Sequence, residues 1–243
     1  MRLSLCNEVI RDMPFEAQCD YAARLGYDGL EIAPFTLTDD PVRLDAAELK
    51  RLRAALAGAG IACTGLHWLL VAPAGLSITS AEPGVTARTR AHIERLCAIA
   101  GELGARVLVH GSPHQRRLPA GGEADARQRA IDLLEHAAEA AGRAGVLYCL
   151  EPLARRETNF ANTVDEAVAV VNTIASPHLR TMIDCSAAGA TEAEPVPALI
   201  RRWMPSGLIA HVQVNDPNRR GPGQGEMQFG PILAALRETG YDG

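Results

Sequence analysis

At 243 residues, with 47% hydrophobic and 22% charged side chains, the chain has the length and composition of one globular α/β domain with a full core. A net charge of −5 and only 4% aromatics argue against a basic nucleic-acid face or a base-stacking surface. No apolar run approaches a membrane span, so no membrane partner is expected, and the opening Met-Arg-Leu-Ser-Leu-Cys-Asn-Glu reads as a strand rather than a signal peptide.

Strand-like runs near 2–6, 28–33, 61–68, 105–111, 146–151, 180–184 and 208–214 alternate with segments of helical period near 14–25, 45–58, 85–103, 124–144, 164–175, 195–203 and 229–240. The first strand leads into Cys6-Asn7-Glu8-Val9, not into the glycine-rich turn that a dinucleotide-binding sheet requires there. Gly26, Gly60, Gly104 and Gly145 each close a helix just before a strand, as left-handed C-caps do. Asp45 precedes the second helix, and Thr163 with Glu166 reads as a capping box for the fifth. The sixth strand ends at Asp184 and is followed by a Cys185-Ser-Ala-Ala-Gly189 loop. After the seventh comes a long Gly/Pro-rich loop over 215–226, suited to a lid or substrate loop, in which Arg219 or Arg220 can hold a substrate oxygen.

Seven βα units in regular alternation favour an α/β fold of (β/α)8 TIM-barrel type over an open sheet. Leu25-Gly-Tyr-Asp-Gly29 introduces the second strand, and Thr239-Gly-Tyr-Asp-Gly243 repeats it. By that parallel an eighth strand begins there. The expectation is a single barrel domain over 1–243 lacking its eighth strand and helix.

Glu151, Asp184 and His211 sit near the ends of three successive strands, 33 and 27 residues apart, each gap about one strand-plus-helix unit. Two carboxylates and an imidazole at one rim of a barrel make a ligand set for a divalent metal. The alternatives are a Glu151 that caps a helix or pairs with Arg155 or Arg156, an Asp184 that caps a helix or turn, and a His211 that is merely core. Glu8, Glu31, His67 and His110 fall at strand ends on the same side, either in the site or supporting it by hydrogen bonds. Trp68 beside His67 offers an apolar wall for a sugar face. His92, His114, His136 and His178 read as surface residues. The six cysteines, with no CxxC pair, read mostly as reduced core residues of a cytoplasmic protein, and none has a neighbouring histidine as base. No serine triad or nucleophile elbow stands out.

Leu150-Glu151-Pro152-Leu-Ala-Arg-Arg-Glu157-Thr-Asn-Phe-Ala-Asn162-Thr163 resembles the strand-five signature of the sugar-phosphate isomerase/epimerase family, xylose-isomerase-like barrels that include ketose 3-epimerases and hydroxypyruvate isomerase relatives. His211-Val-Gln-Val-Asn-Asp-Pro-Asn-Arg219-Arg-Gly-Pro-Gly-Gln-Gly225 is similar to its strand-seven stretch, and the repeated Gly-Tyr-Asp-Gly matches family usage before strands two and eight. The resemblance implies one divalent metal, Mn2+ foremost with Mg2+, Co2+ or Zn2+ as alternatives, held by Glu151, Asp184, His211 and a fourth glutamate expected just past Gly243. Glu151 would also act as the catalytic acid/base, and Glu157 and Arg219 would contact substrate oxygens, with His67, His110 and Glu31 as further candidates for the substrate site. The implied partner is a small sugar or sugar acid, with homo-oligomers common in the family.

One feature departs from the epimerases: the histidine they usually carry shortly after the strand-six aspartate is replaced here by Cys185-Ser-Ala-Ala-Gly189. That weakens tagatose or psicose as substrate. A hydroxypyruvate-type aldose–ketose isomerase, a dehydroshikimate-type dehydratase and a non-catalytic sugar-binding barrel remain as alternatives. An endonuclease-IV-like barrel fits less well, because it needs more histidine ligands and a basic face.

Overall fold

The computed structural model describes residues 1–218 and 220–243. Seven strands form one parallel sheet in strict sequence order: β1 (Ser4–Cys6), β2 (Gly29–Ile32), β3 (Ala62–His67), β4 (Val107–His110), β5 (Leu147–Leu150), β6 (Leu179–Asp184) and β7 (Ile209–Gln213). The helices are α1 (Phe15–Arg24), α2 (Ala46–Gly58), α3 (Pro83–Leu103), α4 (Glu123–Ala144), α5 (Val164–Ile174), α6 (Cys185–Thr191), α7 (Val196–Trp203) and α8 (Phe229–Glu238). No helix among the described residues is long and apolar enough to cross a membrane.

The local signals act as their chemistry dictates, with two differences. Asp45 accepts from the Glu48 amide at 2.9 Å while the Glu48 carboxylate accepts from the Asp45 amide at 3.0 Å, a complete capping box. At α5 the box is only half formed. Thr163 accepts from the Glu166 amide at 3.2 Å, but the Glu166 carboxylate reaches the amide of Asn162, one residue too early. Gly104 and Gly145 end α3 and α4 at φ +76° and +70°, where a side chain would be strained. The second difference is the segment after β6, expected to be a loop. It is the helix α6, started by Asp184, whose Oδ1 accepts from the Ala187 amide at 2.6 Å. Its Ala-rich composition favours a helix once that cap is in place.

The main core lies between sheet and helices, where Leu30, Ile32, Leu108 and Leu150 meet Leu52, Ile93, Leu96 and Leu134. A second cluster joins β6 and β7 to α7 and α8 through Ile183, Ile209, Leu199, Ile200, Ile232 and Leu236. Val107, Val109, Cys149 and Met182, on the strands themselves, form a small third cluster. The sheet curls far enough that side chains of β7 hydrogen-bond to β2, the second strand of the series. Among the described residues, β1 and β7 are each paired on one side only.

Register decides which side chains meet at the carboxyl ends of the strands. Cys6 pairs with Glu31, Glu31 with Gly65, and Asp184 with Gln213. Between β2 and β3 the register shifts after Leu30, skipping Thr64. That shift puts Gly65 beside Glu31. His67, two residues on, then follows on the same face as Gly65.

Candidate active site at the carboxyl ends of the strands

A cavity of about 780 Å3 runs from the amino ends of the strands, at Met1, Arg2, Ala62 and Arg106, to their carboxyl ends, where Glu31, His67, Glu151, Glu157, Asp184 and His211 line it. It is here that loops and strand ends of such barrels gather chemistry.

Glu151 directly follows β5, its amide donating to the His110 carbonyl at 3.3 Å. Its carboxylate lies against Gly111 so closely that a Cβ at that position would collide with it. The glycine therefore makes the seat of the carboxylate. Burial pushes the Glu151 carboxyl well above its ordinary range, and the Asp184 charge adds to the effect. Opposing both is Arg116, which is fully buried and donates through Nη1 to the His110 carbonyl at 3.2 Å. Burial lowers Arg116 to about 10, and the charges of Glu151 and Glu157 hold it up. Glu151 does not pair with Arg155, which bridges to Glu166 instead. Arg116 is a residue that sequence reasoning missed. Its one available signal was an arginine in the Gly111–Arg116 stretch immediately after β4.

Asp184 serves two ends at once, capping α6 with Oδ1 while facing the cavity. Glu157 also lines the cavity, and its Oε2 accepts from the Ala154 amide at 3.2 Å, which fixes the turn after β5.

On the opposite wall, Glu31 collects three partners. Its Oε2 accepts from His211 Nε2 at 2.8 Å and its Oε1 from Gln213 Nε2 at 2.7 Å, with His67 Nδ1 at 3.4 Å. Burial alone would raise the Glu31 carboxyl, but the His211 charge and bond, His67 and Gln213 outweigh it and hold it at about 2. His67 Nε2 meets the Glu8 carboxylate. Burial disfavours the imidazolium of His67, yet the Glu8 bond and the Glu31 and Glu8 charges raise its pKa overall. Trp68 lines the cavity beside it.

Three expectations change. His110 is fully buried and is not among the residues that line the cavity; its Nδ1 meets the Tyr148 hydroxyl at 2.7 Å, so it supports the wall from behind. His92, expected at the surface, is 4% exposed and its ring Nε2 meets the Leu69 carbonyl at 3.0 Å. Cys6, read as a core thiol without a histidine near it, lines the cavity, with its sulfur within 4.8 Å of ligand atoms of Glu31 and His67. Contacts across strands are invisible to sequence spacing. Among the described residues, Cys6, Glu31 and His67 are the group whose ligand atoms draw together this closely; Glu151, Asp184 and His211 share the cavity without closing to that distance.

The loop after β7 is tied by Asp216, which is fully buried. Its carboxylate accepts from the amides of Gly223 (2.9 Å), Gly225 (3.0 Å) and Met227 (3.0 Å). Arg220 in this loop lines the cavity, and Arg219 lies outside the described residues.

The donor set fits a divalent cation. Glu31, Glu151 and Asp184 bring three buried carboxylates to one cavity, and the repulsion that adds to burial in raising Glu151 would be relieved by positive charge between them. Glu151, Asp184 and His211 are of the hard and borderline donor types that such a cation takes.

The family model for the xylose isomerase-like TIM barrel matches residues 19–243. The chain is 27% identical over 237 residues to the D-psicose 3-epimerase of Agrobacterium fabrum, covering 94% of this chain and 77% of that one. It is 29% identical over 218 residues to the L-ribulose 3-epimerase of Mesorhizobium japonicum, covering 88% and 69%. Its fold superposes on a crystal structure of a D-psicose 3-epimerase in the presence of D-fructose with a TM-score of 0.85 at 24% identity, over 100% of this chain and 83% of that one. With a matching family model over nearly its whole length, a sequential parallel sheet and acidic residues gathered at the strand ends, the chain belongs to the xylose isomerase-like TIM-barrel family.

Proposed function

We propose that residues 1–243 form a single barrel domain of a divalent-metal-dependent isomerase or epimerase of a small sugar or sugar acid, and supply three of its metal ligands. The observation that carries this reading is the convergence of Glu151, Asp184 and His211 on one cavity, with Glu151 held toward its protonated form by burial. Named relatives that epimerise ketoses support the same reaction class. Glu151, Asp184 and His211 would hold the cation, Mn2+ foremost. When bound, it would polarise a carbonyl and the neighbouring hydroxyl of an open-chain substrate and acidify the C–H between them.

The rest falls to the chain's own side chains. Glu151 takes the proton from that carbon on one face, leaving an enediolate; isomerisation follows if Glu151 delivers the proton to the neighbouring carbon, and epimerisation if a second carboxyl group delivers one to the opposite face of the same carbon. A carboxyl that burial lifts well above the ordinary carboxylate range is a stronger base than a free one, which favours the first half of that task. Arg116, behind Glu151, limits how far its pKa rises. Gly111 fixes where its oxygens sit. Glu157 and Arg220 are placed to meet substrate oxygens, with Arg219 expected to do the same, while Glu31 and His67 line the far wall and Trp68 offers an apolar face. His110 acts only through the wall.

The test is to strip divalent metal, restore Mn2+, and incubate the protein with D-psicose, D-fructose, L-ribulose and small hydroxy-keto acids. Metal-dependent appearance of an epimer or an aldose–ketose partner is the expected result. An epimer at the carbon next to the carbonyl points to epimerisation, and an aldose to isomerisation. Conversion that ignores metal, or metal binding with no conversion across the panel, rejects the proposal and favours the dehydratase or sugar-binding alternatives.

A further inference from the structure

We infer that Cys6, Glu31 and His67 form a second cation site, on the wall opposite Glu151, suited to a borderline-soft divalent ion such as Zn2+ or Co2+. Their ligand atoms lie within 4.8 Å of one another. The second observation is the state of His67. This ring is 3% exposed and its Nε2 meets the Glu8 carboxylate, so that nitrogen carries a proton. Its Nδ1 is buried without a hydrogen-bond partner and stands 3.4 Å from Glu31 Oε1. Positive charge is called for between this nitrogen and the Glu31 oxygen, and a proton on Nδ1 is one way to supply it. A cation bound by both, and by the Cys6 sulfur, takes that proton's place.

The surroundings are those of a built site. A carboxylate on the far nitrogen of a ligating histidine fixes its tautomer and strengthens the ring as a donor, which is what Glu8 does for His67. Glu31 is held in place by His211 and Gln213, so its carboxylate does not need to reorganise to bind. One sulfur, one nitrogen and one oxygen leave a fourth position open to the cavity, and the thiolate selects Zn2+ or Co2+ over Mn2+ or Mg2+. On binding, the Cys6 thiol releases its proton to solvent as the sulfur–metal bond forms. The site does not depend on the proposed isomerase activity. It shares with that reading the far-wall residues Glu31 and His67, and Glu31's hydrogen bond to His211.

The test is a Co2+ titration followed by absorption. A thiolate-to-cobalt charge-transfer band should grow in with the wild-type protein. The Glu151, Asp184 and His211 set contains no sulfur and cannot produce it. The band should vanish in Cys6→Ser, whose folding is checked by circular dichroism. A measurement free of any substitution runs beside it. Cys6 is the partly exposed cysteine, the other five being buried, so Zn2+ should slow its alkylation by about tenfold or more. Cobalt binding without the band, a band that survives in Cys6→Ser, or alkylation indifferent to Zn2+ overturns the inference.

Discussion

His110 shows how burial converts a residue at a strand end from a reagent into a support. Burial and then the Arg116 charge lower its pKa to about 3, so it stays neutral in the folded protein while the unfolded chain binds a proton near pH 6.5. Between those two values the unfolded state carries the extra proton, so stability is complete above about pH 6.5 and falls as the pH drops toward 3. The slope for one such proton is roughly 1.4 kcal/mol per pH unit. Urea unfolding at pH 7 and 5 should therefore show a loss on acidification that is smaller in His110→Gln. Equal losses in both proteins would mean that His110 is not held neutral. At the neighbouring residue, Gly111→Ala should leave the fold intact, because the atom met is the end of the Glu151 side chain. It should cut the proposed turnover by about 10²-fold through displacement of that carboxylate. Unchanged turnover would show that the seat of Glu151 is not critical.

At the scale of elements, the loop after β7 is organised from within rather than by the body of the barrel. Three amides converge on the Asp216 carboxylate, and a Cβ at Gly225 would collide with it, so the loop closes tightly only around this pair. Asp216→Ala leaves those amides without their acceptor, at a cost of about 1–3 kcal/mol. The expected outcome is faster proteolytic nicking within 217–226 and a raised KM, with bound metal retained; a loop as resistant as wild type would refute the anchoring role. The strand–helix alternation was readable because parallel strands form continuous apolar runs and amphipathic helices repeat every 3.6 residues. The segment over 185–191 was misread because its helix depends on a cap from Asp184, whose side chain looked committed to the cavity.

For the whole molecule, the barrel type was legible in the sequence, as was the sharing of one cavity by Glu151, Asp184 and His211, because consecutive strand ends must share one rim. Glu151 and Asp184 stood out as charges terminating uncharged runs. The wiring among site residues was not legible. That Glu31 is held by His211 and Gln213, that the buried Arg116 feels the Glu151 charge, and that Cys6, Glu31 and His67 bring ligand atoms within 4.8 Å of one another all follow from register and curvature across strands distant in sequence. Sequence spacing carries no record of which rotamers face one another across a cavity.

The most direct test follows carbon-bound protons by NMR in D2O, with the Mn2+-loaded protein and a ketose panel, comparing wild type with Glu151→Gln. The account predicts loss of the signal next to the carbonyl for at least one substrate, slowed by about 10²–10⁴-fold in the variant. Exchange in Glu151→Gln within about tenfold of wild type would contradict the role given to Glu151.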